Sequence, residues 1–145
     1  METTHIIHTF LKVVSWASER SKAAKNYGTK EKLYIAEVHT IELIGENPGI
    51  SQRILSERLG VTKGRMSIIV SHLEAKNLVL RQKEEGQSSK EVPVRLTKLG
   101  ECIFKNHEQQ ESERLDKINQ VLAKCTQEEL DKFNTVLEEV LEILK

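Results

Sequence analysis

A mainly α-helical chain with one small β-hairpin is what this sequence predicts, on three observations. Apolar residues recur at helical spacing through most of its 145 residues. Two short helical segments are separated only by Gly60 and Val61, and two apolar runs bracket a polar, glycine-containing loop just after the second of them. Helices joined so tightly must cross steeply, and a hairpin placed directly behind them is a wing. Together these features describe a winged helix-turn-helix carried on N- and C-terminal dimerisation helices.

Each element has its own warrant. From about Thr4 to Lys25, the residues Ile7, Phe10, Leu11, Val14 and Ala17 make a helical stripe, which the Tyr27-Gly28-Thr29 region breaks. A second helix runs from about Leu33 to Gly45 and ends at Pro48-Gly49. Ser51 is the N-cap of a short third helix that Gly60 closes, because glycine takes positive φ without penalty. Thr62 caps the fourth helix, in which Met66, Ile69, Val70 and Leu73 share one side. Leu78 to Arg81 and Val92 to Leu96 read as the strands of the hairpin, with Pro93 confined to an edge or a strand start. Thr97 caps a long helix with a polar middle, and Thr126-Gln127-Glu128-Glu129 has the spacing of a capping box before a last apolar helix.

The domain reading is one unit, 1–145, with 35–99 as the reading module and 1–34 and 100–145 as dimerisation helices. The terminal helices carry more apolar surface than a small module covers, so two copies are expected to bury it mutually.

Composition narrows the function classes. The start lacks the basic leading segment and unbroken apolar core of a secretory signal, and no run reaches the ~18 apolar residues of a membrane span. Two cysteines, Cys102 and Cys125, make neither a disulfide scaffold nor a zinc motif, so a cytoplasmic location is expected. Glycine-rich phosphate loops, nucleophile elbows and zinc-protease motifs are absent, so no enzyme is expected. The formal net charge is zero, yet Ile50 to Lys98 holds ten Lys/Arg against five Asp/Glu. A local basic face is what a phosphate backbone feels, whatever the total.

The stretch ISQRILSERLGVTKGRMSIIVSHLEAKNLVLRQ, the hairpin ending VPVRLTKLG and the final helix opening Thr-Gln-Glu-Glu together resemble the MarR family of bacterial regulators, over essentially the whole chain. The resemblance implies a double-stranded DNA-binding transcriptional regulator, a ligand-responsive repressor acting as a homodimer. Two departures stand out. The family's Asp-x-Arg pair in the wing is replaced by Ser88-Ser89-Lys90, and the usual glycine after Ala75-Lys76 is Asn77, which also tolerates the left-handed conformation.

In this geometry the fourth helix enters the major groove. Thr62, Lys63, Arg65, Ser67, Ile68 and Ser71 then lie outward or near its start, and Gly64 lets the backbone approach. Arg65 matches the guanine O6/N7 pair. Ile68 either meets a thymine methyl or extends the core with Ile69. Ser51, Gln52 and Arg53 are placed at the DNA backbone, and Arg81, Lys83 and Lys90 hold the wing to phosphates or reach the minor groove.

The resemblance also implies a pocket for a small-molecule effector between the reading module and the dimer helices. His39, His107 and Glu111 occupy positions similar to the ligands of zinc-sensing members, which use histidine where this chain has Glu111. His107 and Glu111 share a helical face. The alternative is an ordinary pair of hydrogen-bonded histidines with no cofactor. Glu37-Val38-His39-Thr40-Ile41 resembles a stretch of the family's regulators of fatty-acid synthesis genes. The cysteines read as inert thiols, having no basic cluster beside them. A rival reading in another class is a winged helix used only as a protein-interaction module; basic, polar outward residues on the fourth helix favour DNA over it.

Overall fold

A computed structural model describes residues 3–82, 85–86 and 91–145. The elements run α1 (Thr3–Lys22), β1 (Lys25–Asn26), β2 (Lys32–Leu33), α2 (Ile35–Glu46), β3 (Ile50–Ser51), α3 (Gln52–Leu59), α4 (Lys63–Ala75), β4 (Val79–Arg81), β5 (Pro93–Leu96), α5 (Lys98–Leu122) and α6 (Gln127–Leu144). Two compact units result, Met1–His107 and Glu108–Lys145, with α5 contributing to both.

Capping chemistry sets the helix ends in the first unit. The Ser51 hydroxyl accepts from the Ile54 amide at 3.3 Å, and the Thr62 hydroxyl accepts from the Arg65 amide at 3.1 Å. Gly60 is left-handed at φ 64° and the Val61 amide donates back to the Ser56 carbonyl at 3.1 Å, which ends α3. One residue later α4 begins, so the turn is as short as its sequence demanded. Asn77 stands in the left-handed region at φ 59° and turns the chain out of α4 into β4.

The core forms where the helices meet the sheet. Ile41 and Ile44 of α2, Leu55 of α3, Met66 and Val70 of α4, and Ile103 of α5 are fully buried. A three-stranded antiparallel sheet in the order β3-β5-β4 closes the module, with Ile50 opposite Val94 and Arg81 opposite Val94 on its other side. Pro93 opens the central strand. It gives no N–H to the ladder, but its carbonyl accepts from the Gln82 amide at 2.9 Å, so the strand tolerates it at its first position.

Three elements were not foreseen in sequence. β1 and β2 form a small hairpin around Gly28, where the Asn26 side chain accepts from the Gly28 amide at 2.7 Å. Short β3 adds a third strand to the wing sheet. These strands are two residues long, below the length at which alternation is readable. The first helix also ends three residues earlier than expected, at Lys22.

In the second unit, α6 opens on a full capping box. The Glu129 amide donates to the Thr126 hydroxyl at 3.3 Å and the Thr126 amide donates to the Glu129 carboxylate at 2.8 Å. α6 has no buried residue, and Phe133, Val136, Leu137 and Leu141 lie exposed along it. In the first unit α1 likewise has no buried residue and exposes Ile6, Ile7, Leu11, Val14 and Trp16. Among the described residues no helix is long and apolar enough to cross a membrane.

Candidate nucleic-acid interface

The two faces of α4 separate cleanly. Met66, Ile69, Val70 and Leu73 are buried, while Thr62, Lys63, Gly64, Arg65, Ile68 and Ser71 are exposed and Ser67 is half-buried. Ile68 is 58% exposed beside an Ile69 that is 8% exposed, so it belongs to the outer face and not to the core. Nothing lies within 4 Å of the place a β-carbon on Gly64 would take, so the first turn of α4 presents bare backbone. Its unsatisfied amides and partial positive charge suit a phosphate.

Around this helix the expected backbone contacts take varied roles. Ser51 is buried as the α3 cap. Arg53 is half-buried and pairs with Glu57 at 3.0 Å and Glu91 at 3.5 Å. The Glu57 carboxylate first, and Glu91 after it, hold its guanidinium even more firmly protonated than usual. Arg81 turns inward: its Nε donates to Gln52 Oε1 at 3.1 Å, and its Nη atoms donate to Glu74, the Ser67 carbonyl and the Ser71 hydroxyl. Lys83 and Lys90, expected at the wing, lie outside the described residues, as does Ser88-Ser89.

A second constellation sits elsewhere in the first unit. His39, Glu42 and His107 bring one ligand atom each to within 4.8 Å of one another. His107 is 3% exposed, and neither of its ring nitrogens has a hydrogen-bond partner among the described residues. Its Nε2 stands 3.6 Å from Glu42 Oε2, the His39 ring lies 6.3 Å away, and the edge of Tyr27 is packed against it. Burial pushes the Tyr27 phenol above its usual pKa, against the opposing pull of Arg20. Glu111, expected as the third ligand, belongs to the second unit, where it pairs with Arg114. Glu42 went unnoticed in sequence, although it shares a helical face with His39 three residues before it.

A cavity of about 350 Å³ opens between α2, β5 and the start of α5. Ile44, Pro48, Leu96 and Phe104 give it apolar walls, and Arg95, Glu101 and Lys105 stand at its edge. Its size suits a small organic molecule.

Known proteins share this architecture. The MarR family model matches residues 34–88, which cover α2 through the root of the wing. An uncharacterized HTH-type transcriptional regulator of Bacillus subtilis, YhjH, is 25% identical over 114 residues. That match takes in 79% of this chain but spans only 65% of the relative's length. Streptococcus pneumoniae FabT, solved in complex with DNA, is similar at 26% identity and a TM-score of 0.70, covering 99% of this chain and all of that one. Lactococcus lactis ZitR, a zinc-responsive MarR family member, has the same fold at 16% identity, with a TM-score of 0.81 over 99% of this chain and all of its own. The MarR family model thus matches the central module, residues 34–88, and the chain is similar in fold along its length to these regulators.

Proposed function

We propose that this protein is a sequence-specific double-stranded DNA-binding repressor that acts as a homodimer and answers to a ligand. One observation carries the reading: the solvent face of α4, where Lys63, Arg65, Ile68 and Ser71 surround a backbone left bare at Gly64. Arg65 offers a rigid fork of donors for a guanine edge, and Lys63 a mobile cation for a base or phosphate. Gln52 and Arg53 at the start of α3, with Lys83 and Lys90 in the wing, add backbone contacts. The similar FabT structure with DNA supports the same use of the fold.

Dimerisation rests on the apolar faces of α1 and α6, which the single chain leaves to solvent. Contiguous surface of this kind marks an interface, and two copies related by a dyad would present two reading helices about one turn of DNA, ~34 Å, apart. A DNA-binding regulator works in the cytoplasm. The test is a gel-shift titration with duplexes selected from the source genome, using Lys63→Ala and Arg65→Ala. Weakened binding that also falls with added salt is expected; unchanged affinity with no salt dependence refutes the reading.

A second reading, zinc responsiveness, is favoured by one specific observation. A buried histidine with two unpartnered nitrogens is costly unless something binds it. Two imidazoles and a carboxylate are a donor set that suits zinc, so His39, Glu42 and His107 would hold the ion, which when bound supplies a charge that draws these three side chains together.

A further inference from the structure

Arg81 was expected among the phosphate contacts, and its surroundings give it different work. The residue sits at the end of β4, where the chain leaves for the wing. Its side chain is 24% exposed, and all three guanidinium nitrogens donate within the protein. Nη1 donates to Glu74 Oε2 at 2.5 Å, and the Arg81 backbone amide donates to the other oxygen of the same carboxylate at 3.1 Å. Nη2 reaches the Ser67 carbonyl at 3.0 Å and the Ser71 hydroxyl at 3.2 Å, two positions one turn apart on α4. Nε meets Gln52 Oε1, on the first residue of α3, at 3.1 Å. One planar group therefore ties the wing root, the reading helix and the supporting helix together.

The chemistry of the Gln52 contact fixes an orientation. Arginine has donors only, so the atom of the Gln52 amide that faces it must be the oxygen. The NH₂ end is thereby turned away from Arg81 and kept as a donor, at the helix start where a DNA backbone contact is needed. Lysine cannot reproduce this arrangement, because a single ammonium lacks the planar fork that reaches α3 and α4 at once.

We propose that Arg81 is a positioning residue: it sets the angle of α4 relative to α3 and the wing and aims the Gln52 amide, without touching DNA itself. This rests on the DNA-binding reading above. Arg81 thus serves discrimination between sequences, and the attraction of any duplex for the basic face is left to other cations.

The experiment uses the full-length protein with the tightest duplex selected from the source genome and a scrambled duplex of equal length, titrated between about 50 and 200 mM salt. Arg81→Lys is expected to lower affinity for the selected duplex at least tenfold, to change that for the scrambled one less than twofold, and to leave the salt slope unaltered. Glu74→Gln, which keeps the shape and weakens the clamp, is expected to follow the same pattern at smaller size. A charge-removing Arg81→Gln variant completes the set: equal loss on both duplexes with its slope reduced by about 0.9 would make Arg81 a phosphate contact and overturn the proposal, as would no change on either duplex for Arg81→Lys. Amide exchange in the DNA-free proteins is read in parallel. Faster exchange at residues 67–71 and 79–81 in Arg81→Lys and Glu74→Gln supports the clamp, and wild-type rates there overturn it. A wild-type protein that selects no duplex overturns the DNA reading itself, which separates the two failures.

Discussion

A β-carbon placed on Gly100 would stand 2.1 Å from the carbonyl oxygen of Leu78. The first turn of α5 therefore presses directly on the backbone where α4 gives way to β4. Gly100→Ala must push these elements apart, and overpacking of this kind costs about 1–3 kcal/mol. The check is the thermal unfolding midpoint, which should fall well below wild type. Gly60→Ala gives a control of different origin: no atom crowds that site, and the cost is the left-handed backbone alone, about 1–2 kcal/mol.

Gly64 predicts the opposite sign for stability. It lies in the first turn of α4 with open space around it and ordinary helical backbone. Alanine there should stabilise the fold by up to about 1 kcal/mol, since glycine is the weaker helix former. On the proposed DNA-binding face the added methyl group would meet the duplex, so affinity should drop while the melting temperature rises. Parallel melting and gel-shift curves read both, and a variant that binds DNA as well as wild type removes Gly64 from the interface.

Ile68 is an apolar side chain on a polar reading face. A thymine 5-methyl group is the base feature it can meet. Replacing thymine by uracil at the contacted position should weaken the wild type and leave Ile68→Ala indifferent. Equal sensitivity of both proteins to uracil would remove this role.

Zinc should bind and raise the unfolding temperature, and His39→Ala and His107→Ala should each lower zinc affinity at least tenfold. Glu42→Gln should do so as well, because the carboxylate lies within the cluster. A competition titration against a chelating indicator measures all three. Variants that keep wild-type affinity would leave His107 as a buried histidine packed on Tyr27.

Acid should loosen the start of α6. The Thr126 amide, and then its hydroxyl, donate to the Glu129 carboxylate and hold its pKa below the usual value. A carboxylate with a lowered folded-state pKa contributes stability above its unfolded pKa, near about 4.3, and loses it as pH falls through the folded value. Amide protection at residues 127–130, relative to the intrinsic exchange rate at each pH, should therefore fall only at strongly acidic pH. Glu129→Gln should flatten that dependence.

Much of the fold was legible because its signals are local. Ser51, Gly60, Thr62 and Thr126 end or begin helices through contacts within a few residues, and Asn77 takes the left-handed turn its side chain permits. The buried and exposed sides of α4 followed from helical period, while Ile68, left open between groove and core, is settled by its 58% exposure. What could not be read depended on distance along the chain. Arg81 turns inward because Glu74 and Gln52 meet it from seven and twenty-nine residues away. His107 finds Glu42 only after the helices pack. The two-residue strands have no periodicity to detect.

The far end of α4 carries a consequence of its own. Lys76 donates to the Glu37 carboxylate at 2.8 Å and to the Lys32 carbonyl at 3.2 Å, while the same carboxylate accepts from the Tyr34 amide at 2.9 Å. Glu37 lies two residues before His39 on α2. The helix that reads thus has a handle at its other end, gripped by the very turn that leads into the histidine cluster. In a close-packed interior such a turn cannot shift without moving what it grips. If the histidine cluster senses and α4 reads, as proposed above, the two would be coupled through the Lys76–Glu37 ion pair.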